Sequence, residues 1–380
     1  MFLVEALKGG INFLTKPEIF ITAAALLFFA SLRYKALWRP RVALGVGVAA
    51  TIFLAVSMLD ANFLKIVRKP DNVPIVAMLF LVGFFWWLSM RQAHENDERI
   101  ARGERPREAS DGEAEKTWVW PDLVYTELLC MIIGMIVLVA WGLAFQAPIE
   151  EAANPARTPN PSKAPWYFLG LQEMLVYFDP WLAGVVYPGL IIVGLMAIPY
   201  IDLNPKGNGY YTFVERRTEI TIFLFGFLIQ WVLLVILGTF LRGPNWNFFG
   251  PYEYWDLHKL EALVNVNLSE FIWVRLLNTG LPDNMLVREA FGILAILFYV
   301  AVLPGLLAFR NTLVAVPIGG GRRLTLVPGL KRYFEKLGPW RYSVFVLLLL
   351  LQISLVIKMV LRWAFNLKYI VALPEIFFNI

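Results

Sequence analysis

The sequence predicts an all-α, polytopic transmembrane bundle of about eight spans, and three observations predict it. Hydrophobic residues make up 58% of the 380-residue chain and charged residues only 17%, whereas a soluble domain is nearer a quarter charged. The apolar residues gather into long runs, each enough to cross ~30 Å of hydrocarbon as a helix rising ~1.5 Å per residue. The segments between the runs are rich in proline, tryptophan and tyrosine, or in charge, as expected where a chain leaves a bilayer and returns.

In chain order the runs are 17–32, 41–59, 73–90, 123–146, 183–200, 220–241, 286–309 and 342–365. The start of the first is the least defined, because 10–14 either lengthens it or lies in the interface. Between the third and fourth runs lies RQAHENDERIARGERPREASDGEAEKTW (91–118), which carries both charge signs and reads as a solvated connector. A second connector is GGGRRLTLVPGLKRYFEKLGPWR (319–341). These boundaries predict a three-span unit over 1–90, a charged linker over 91–118, a middle domain over 119–310, and a loop with a final span over 311–380. Two long connecting stretches remain, 147–182 and 242–285. The latter contains LHKLEALVNVNLSEFIWVRLL, whose mixed pattern predicts an interfacial amphipathic helix.

Basic residues set the expected orientation. Loops 33–41, 91–122, 201–219 and 310–342 hold 20 of the 34 Lys and Arg residues, so they are expected on the cytoplasmic side. Both termini then face the periplasm of a bacterial inner membrane. The net charge of +5 is read as this asymmetry and not as a nucleic-acid surface. The N-terminus, MFLVEALKGG, does not read as a removable signal peptide.

Composition excludes several chemistries for this chain acting alone. Its one cysteine, Cys130, allows no intrachain disulfide, no CxxCH haem attachment and no cysteine cluster. Its two histidines, His94 and His258, fall outside the apolar runs and read as surface or interfacial residues, so they do not furnish two bis-histidine haems. No HExxH, Walker A, GxSxG or dinucleotide fingerprint stands in a usable context.

The segment PNPSKAPWYFLGLQE (159–173) is different. Pro159, Pro161 and Pro165 fix an irregular approach. Trp166, Tyr167, Leu169, Gly170 and Glu173 follow within two turns of a predicted helix. An aromatic belt accounts for a Trp–Tyr pair. An acid closing a proline-fixed aromatic turn at a membrane edge also suits proton abstraction from a lipid-soluble substrate. Asp122 opens the fourth run, where it complements the helix dipole or serves a site. Glu127 lies one turn further, inside the run. Lys358 and Arg362 share a face near the end of the last run and read as snorkelling residues or as contacts to a partner or lipid headgroup.

Residues 121–242 resemble the C-terminal half of cytochrome b, a separate protein called subunit IV in chloroplast-type complexes. The resemblance rests on PDLVY (121–125), PNPSKAPWYF (159–168), IPYIDLNP (198–205), VERR (214–217) and FLRGPNW (240–246), in that order. It implies a non-haem membrane subunit of a split bc-type quinol:cytochrome c oxidoreductase, with quinol or quinone as substrate. In that family a PEWY motif walls the quinol-oxidising pocket and its glutamate accepts a proton. Carried over residue by residue, Pro165, Trp166, Tyr167 and Phe168 line the pocket. Pro165 stands where the family has its glutamate and Ala164 where it has its proline. Glu173 is then the candidate proton acceptor, with Tyr167 as a hydrogen-bonding wall. Asp122 resembles the acid beside the family's quinone-reducing pocket. The implied partners are a haem-bearing cytochrome b N-terminal half, a Rieske 2Fe–2S protein and a c-type cytochrome, in a dimeric complex surrounded by membrane lipids, without nucleic acid. The rival readings are a transporter or ion-translocating subunit, and a non-catalytic scaffold that kept the fold.

Overall fold

The computed structural model describes residues 2–114, 117–145, 152–204, 209–319 and 322–380. The predicted end of the fourth run at Gln146, Pro205 of the IPYIDLNP motif, and Gly320 and Gly321 of the second connector lie outside these residues.

Helix α1 (Phe2–Leu14) meets α2 (Pro17–Arg33) at an 80° bend, and together they are apolar enough to form one broken span. Pro17 starts α2, where its missing N–H costs nothing. Pro40 does the same for α3 (Pro40–Ser57). The short α4 (Ala61–Val67) begins at Asp60, whose Oδ1 accepts the N–H groups of Asn62 and Phe63 at 2.8 and 3.0 Å. There follow α5 (Asn72–Ala101), α6 (Arg107–Ala114), α7 (Val119–Ala144), α8 (Leu169–Met174), α9 (Leu182–Ile201), α10 (Arg217–Leu241) and α11 (Ala290–Phe309). The antiparallel hairpin β1 (Thr312–Gly319) and β2 (Arg322–Pro328) leads to α12 (Lys331–Phe365). The chain closes on a small hairpin, β3 (Ala372–Leu373) with β4 (Phe378–Asn379). Among the described residues seven helices are long and apolar enough to cross a membrane, and the bent pair makes an eighth. The expected helical bundle of about eight spans is therefore present. Within the amphipathic stretch, Leu268–Glu270 and Phe271–Leu276 are helical.

The chain forms two compact units. The first comprises Met1–Leu169 and Asn208–Leu260, the second Gly170–Gly207 and Glu261–Ile380.

The first unit is held by aromatic packing. Phe28 lies 6.0 Å from Phe225 and 6.1 Å from Trp86 between ring centres, and Trp86 meets Trp38 edge-on at 5.3 Å. One expectation fails here. The start of the charged connector is not solvated but continues α5, and Met90, Ala93, His94 and Asp97 form one buried stripe at helical spacing. Asp97 accepts the backbone N–H of Val214 at 3.1 Å, and Asn96 donates to the carbonyl of Tyr211 at 3.0 Å. These bonds seat the turn before α10 against the end of α5. His94 is correspondingly buried, not a surface residue. Its ring meets Phe213 edge-on at 5.1 Å, and among the described residues neither ring nitrogen has a hydrogen-bond partner.

In the second unit a cluster of Leu307, Ala308, Leu337, Tyr342, Val346 and Leu350 joins α11 to α12. Hydroxyls find partners inside the unit: Tyr342 donates to the carbonyl of Pro304 at 2.8 Å and Tyr299 to that of Leu350 at 2.6 Å, while the Tyr187 and Ser354 hydroxyls lie 2.6 Å apart. In hydrocarbon these groups have no water to bond instead. Gly338, at φ 72°, and Pro339 break α12, so its apolar part starts afterwards, near the predicted start at 342.

Candidate functional site

The segment 159–168 is an irregular loop ending in a single tight turn, Trp166–Phe168. Pro165 sits just before the turn in an extended conformation (φ −51°, ψ 147°) and so sets the entry angle. Three consecutive rings follow. Trp166 and Tyr167 meet edge-on at 5.7 Å, and Tyr167 and Phe168 lie 4.7 Å apart. They are 37%, 49% and 50% exposed, so the turn displays its aromatic faces instead of burying them. The next residue, Leu169, is buried, and its carbonyl presses on α10 at Gly238. A Cβ added at Gly238 would lie 3.0 Å from that oxygen. The glycine is what lets the turn approach so closely.

Polar contacts brace the loop within the first unit. Asn160 Nδ2 donates to Asn245 Oδ1 at 2.9 Å, and the Asn245 N–H donates to Asn160 Oδ1 at 2.7 Å. The Lys163 ammonium donates to the carbonyl of Thr239 at 2.8 Å and lies 4.9 Å from the centre of the Trp255 ring. Further along, Arg242 donates to the Trp246 carbonyl at 3.0 Å and Lys259 to that of Phe248 at 2.7 Å. Cations bonded to backbone carbonyls thus shape both strands of the loop pair.

Glu173 belongs to the second unit and is fully buried. The chain turns just after it: Val176 donates its N–H to the Glu173 carbonyl at 3.1 Å, and Tyr177 and Phe178 donate theirs to Met174 at 2.9 Å. Residues from the C-terminal end surround this turn. Lys368 donates to the carbonyls of Leu175 at 2.6 Å and Val176 at 3.3 Å. Asp179 accepts from Asn379 Nδ2 at 3.1 Å and from the Tyr369 hydroxyl at 3.4 Å. Burial, reinforced by Arg362, pushes Lys368 down to about 8. Lys358 and Arg362 differ from expectation. They are buried rather than snorkelling, and they donate to carbonyls of this chain: Lys358 to Lys368 at 2.5 Å, Arg362 to Val264 at 3.0 Å and Asn366 at 2.9 Å.

The remaining predicted positions stand apart from these. Asp122 is exposed in the first turn of α7, where an acid complements the dipole, and Glu127 is exposed one turn on. His258 lies in an exposed turn outside any helix. No group of three or more His, Cys, Asp or Glu side chains that could hold a metal ion occurs among the described residues. The asparagine lock, Gly238 and the C-terminal bonds were not foreseen, because each joins segments far apart in sequence.

Residues 152–253 match the family described as Cytochrome b(C-terminal)/b6/petD. This chain carries a cytochrome b C-terminal domain. The domain encloses the aromatic turn, α8 to α10 and the asparagine lock. The PDLVY segment, α1 to α7, α11, α12 and the C-terminal hairpin fall outside it. The chain is also similar to the menaquinol:cytochrome c reductase cytochrome c subunit of Geobacillus thermodenitrificans, with 26% identity over 106 residues. That alignment covers 27% of this chain and 42% of the relative, so the chain spans less than half the length of the curated relative it matches. No solved structure matches.

Proposed function

We propose that this chain is a membrane subunit of a quinol:cytochrome c oxidoreductase in a bacterial inner membrane, and that its 159–173 segment walls the quinol-oxidising pocket. The observation that carries the reading is the exposed Trp166–Tyr167–Phe168 turn, braced by Asn245 and Gly238 inside the cytochrome b C-terminal domain. Exposed rings on a fixed backbone offer a face for a flat quinol ring, and the Tyr167 hydroxyl offers it a hydrogen bond. Oxidation of a quinol releases two electrons and two protons. In this reading a b haem and a Rieske 2Fe–2S cluster on partner subunits would each take one of the electrons, and the Rieske branch would lead to a c-type cytochrome. The domain contributes a shaped, water-poor wall and a proton acceptor. With Pro165 at the family's glutamate position, Glu173 is the proposed acceptor, a buried carboxylate at the start of the exit route. Asp122 is proposed as an acid of the second, quinone-reducing pocket.

The test is turnover of the assembled complex carrying Tyr167→Phe or Glu173→Gln. Loss of a general base typically costs about 10²–10⁴-fold, so Glu173→Gln is expected to cut kcat at least a hundredfold, and Tyr167→Phe to raise the quinol KM. Unchanged kinetics in both would leave the scaffold reading in its place. That alternative is favoured by a specific observation, the loss of the family's acid at Pro165.

A further inference from the structure

The last span and the C-terminal tail lie outside the matched domain, yet they bond closely to the turn that follows Glu173. The Lys358 amine is 2% exposed inside an apolar helix, an arrangement that is costly unless the group is hydrogen-bonded. Its bond goes to the carbonyl of Lys368. That carbonyl belongs to a stretch of backbone fixed from its other side: Leu367 bridges Val266, Lys368 donates its N–H to Val266 at 2.8 Å, and Leu268 donates to Tyr369 at 2.9 Å. The Lys368 side chain therefore springs from a rigid base. Its ammonium reaches the carbonyls of Leu175 and Val176, in the turn that follows α8. A little further on, Asp179 is held by Tyr369 and Asn379, and Trp181 Nε1 donates to the Asn379 carbonyl at 2.8 Å. Thus residues 175–181 are tied at successive points to one strap.

We propose that Lys368, seated by Lys358, is a positioning residue: it clamps the carbonyls of the turn that follows α8 and so fixes where the Glu173 carboxylate stands. A charge-assisted bond to carbonyls two and three residues from that carboxylate restricts the turn more than a neutral bond would. The clamp rests on the reading of Glu173 given above. It adds a role for the final span, which the match to the domain leaves out.

The test compares Lys368→Met, Lys368→Arg, Glu375→Gln and Glu173→Gln in the assembled complex, with a short-chain naphthoquinol as the probe. Glu375 is the control. It lies in the same tail and pairs with Arg288 at 2.8 Å. Small misplacements of a reacting group can cost up to about a hundredfold. Lys368→Met is expected to lower kcat at least tenfold with little change in KM, Lys368→Arg to recover most of it, and Glu375→Gln to behave as the unsubstituted chain. The clamp is overturned if Lys368→Met turns over normally, or if Glu375→Gln loses as much activity as Lys368→Met. Should Lys368→Met fail to assemble, Lys368→Gln, which keeps an N–H donor without the charge, carries the same two outcomes. A slow Glu173→Gln beside a normal Lys368→Met removes the clamp and leaves the reading of Glu173 intact. A normal Glu173→Gln removes both.

Discussion

Asn160 and Asn245 exchange two hydrogen bonds across 85 residues of chain, side chain to side chain and side chain to backbone. The pair works because Asn245 adopts a left-handed conformation, φ 58°, which asparagine tolerates better than most residues and which turns its N–H toward Asn160. The two asparagines fix the loop that presents Trp166, Tyr167 and Phe168.

Removing the pair should loosen the loop more than it destabilises the fold. Both partners are exposed, and a net hydrogen bond contributes about 0.5–1.5 kcal/mol, so Asn160→Ala is expected to cost only about 1 kcal/mol. Amide hydrogen exchange over 159–168 should quicken and the quinol KM should rise several-fold, with assembly retained. Asn245→Gly should be milder than Asn245→Ala, because only glycine keeps the left-handed backbone without strain. Equal effects of the two Asn245 changes would show that the side-chain bonds, not the backbone, govern the loop.

Gly238 makes a sharper prediction. An added methyl would meet Leu169 backbone at 3.0 Å, and backbone yields less readily than the tip of a side chain. Gly238→Ala should shift the aromatic turn by a few tenths of an ångström and lower kcat/KM measurably. Gly238→Val, with more bulk against the same carbonyl, should abolish turnover or assembly. Gly189, in α9, has nothing within 4 Å of its added Cβ, so Gly189→Ala is the matched control and should be neutral.

Asp60 predicts an acid limb in stability. Burial works to raise its carboxyl, but the Lys8 ammonium at 2.8 Å and the N–H groups of Phe63 and Asn62 outweigh burial and hold it below the ordinary carboxylate range. A carboxyl lowered by folding adds stability that is fully present above the unfolded value, near 4, and is lost as pH falls through the folded value. Thermal unfolding of the detergent-solubilised chain should therefore be insensitive to Asp60 protonation from pH 5 to 8 and weaken below about pH 4. Asp60→Asn should lower stability at neutral pH and flatten that acid dependence. An acid limb unchanged in Asp60→Asn would assign it to another carboxylate.

The spans were legible because a bilayer demands long apolar helices, and α3, α9 and α10 fall within a few residues of the runs that predicted them. The aromatic turn was legible because Pro165 and the three rings are contiguous. What composition concealed was burial within charged sequence. The connector 91–118 looks solvated residue by residue, yet Met90, Ala93, His94 and Asp97 recur at helical spacing, a signal that periodicity alone contained. Lys358 and Arg362 were read as snorkelling residues or as contacts to a partner or lipid headgroup because acceptors for both come from a tail that folds back over the end of α12, and no local pattern encodes that return. The lock between Asn160 and Asn245 was invisible for the same reason.

The cluster joining α11 to α12 tests how packing stabilises this protein inside lipid. Leu350 is buried against α11 near Tyr299, whose hydroxyl bonds the Leu350 carbonyl at 2.6 Å. In a soluble core, Leu→Ala costs about 2–5 kcal/mol, the sum of lost transfer from water and a residual cavity. Within a bilayer the separated helices face hydrocarbon instead of water, so the transfer part largely vanishes and lost packing remains. Leu350→Ala should therefore cost about 2 kcal/mol or less, and because the Tyr299 bond is made to backbone, it should survive the change. Tyr299→Phe removes that bond alone and should cost about 1 kcal/mol. Unfolding of the purified chain in mixed micelles by denaturing detergent measures both. A Leu350→Ala cost of about 4 kcal/mol would place this part of α12 against water rather than hydrocarbon.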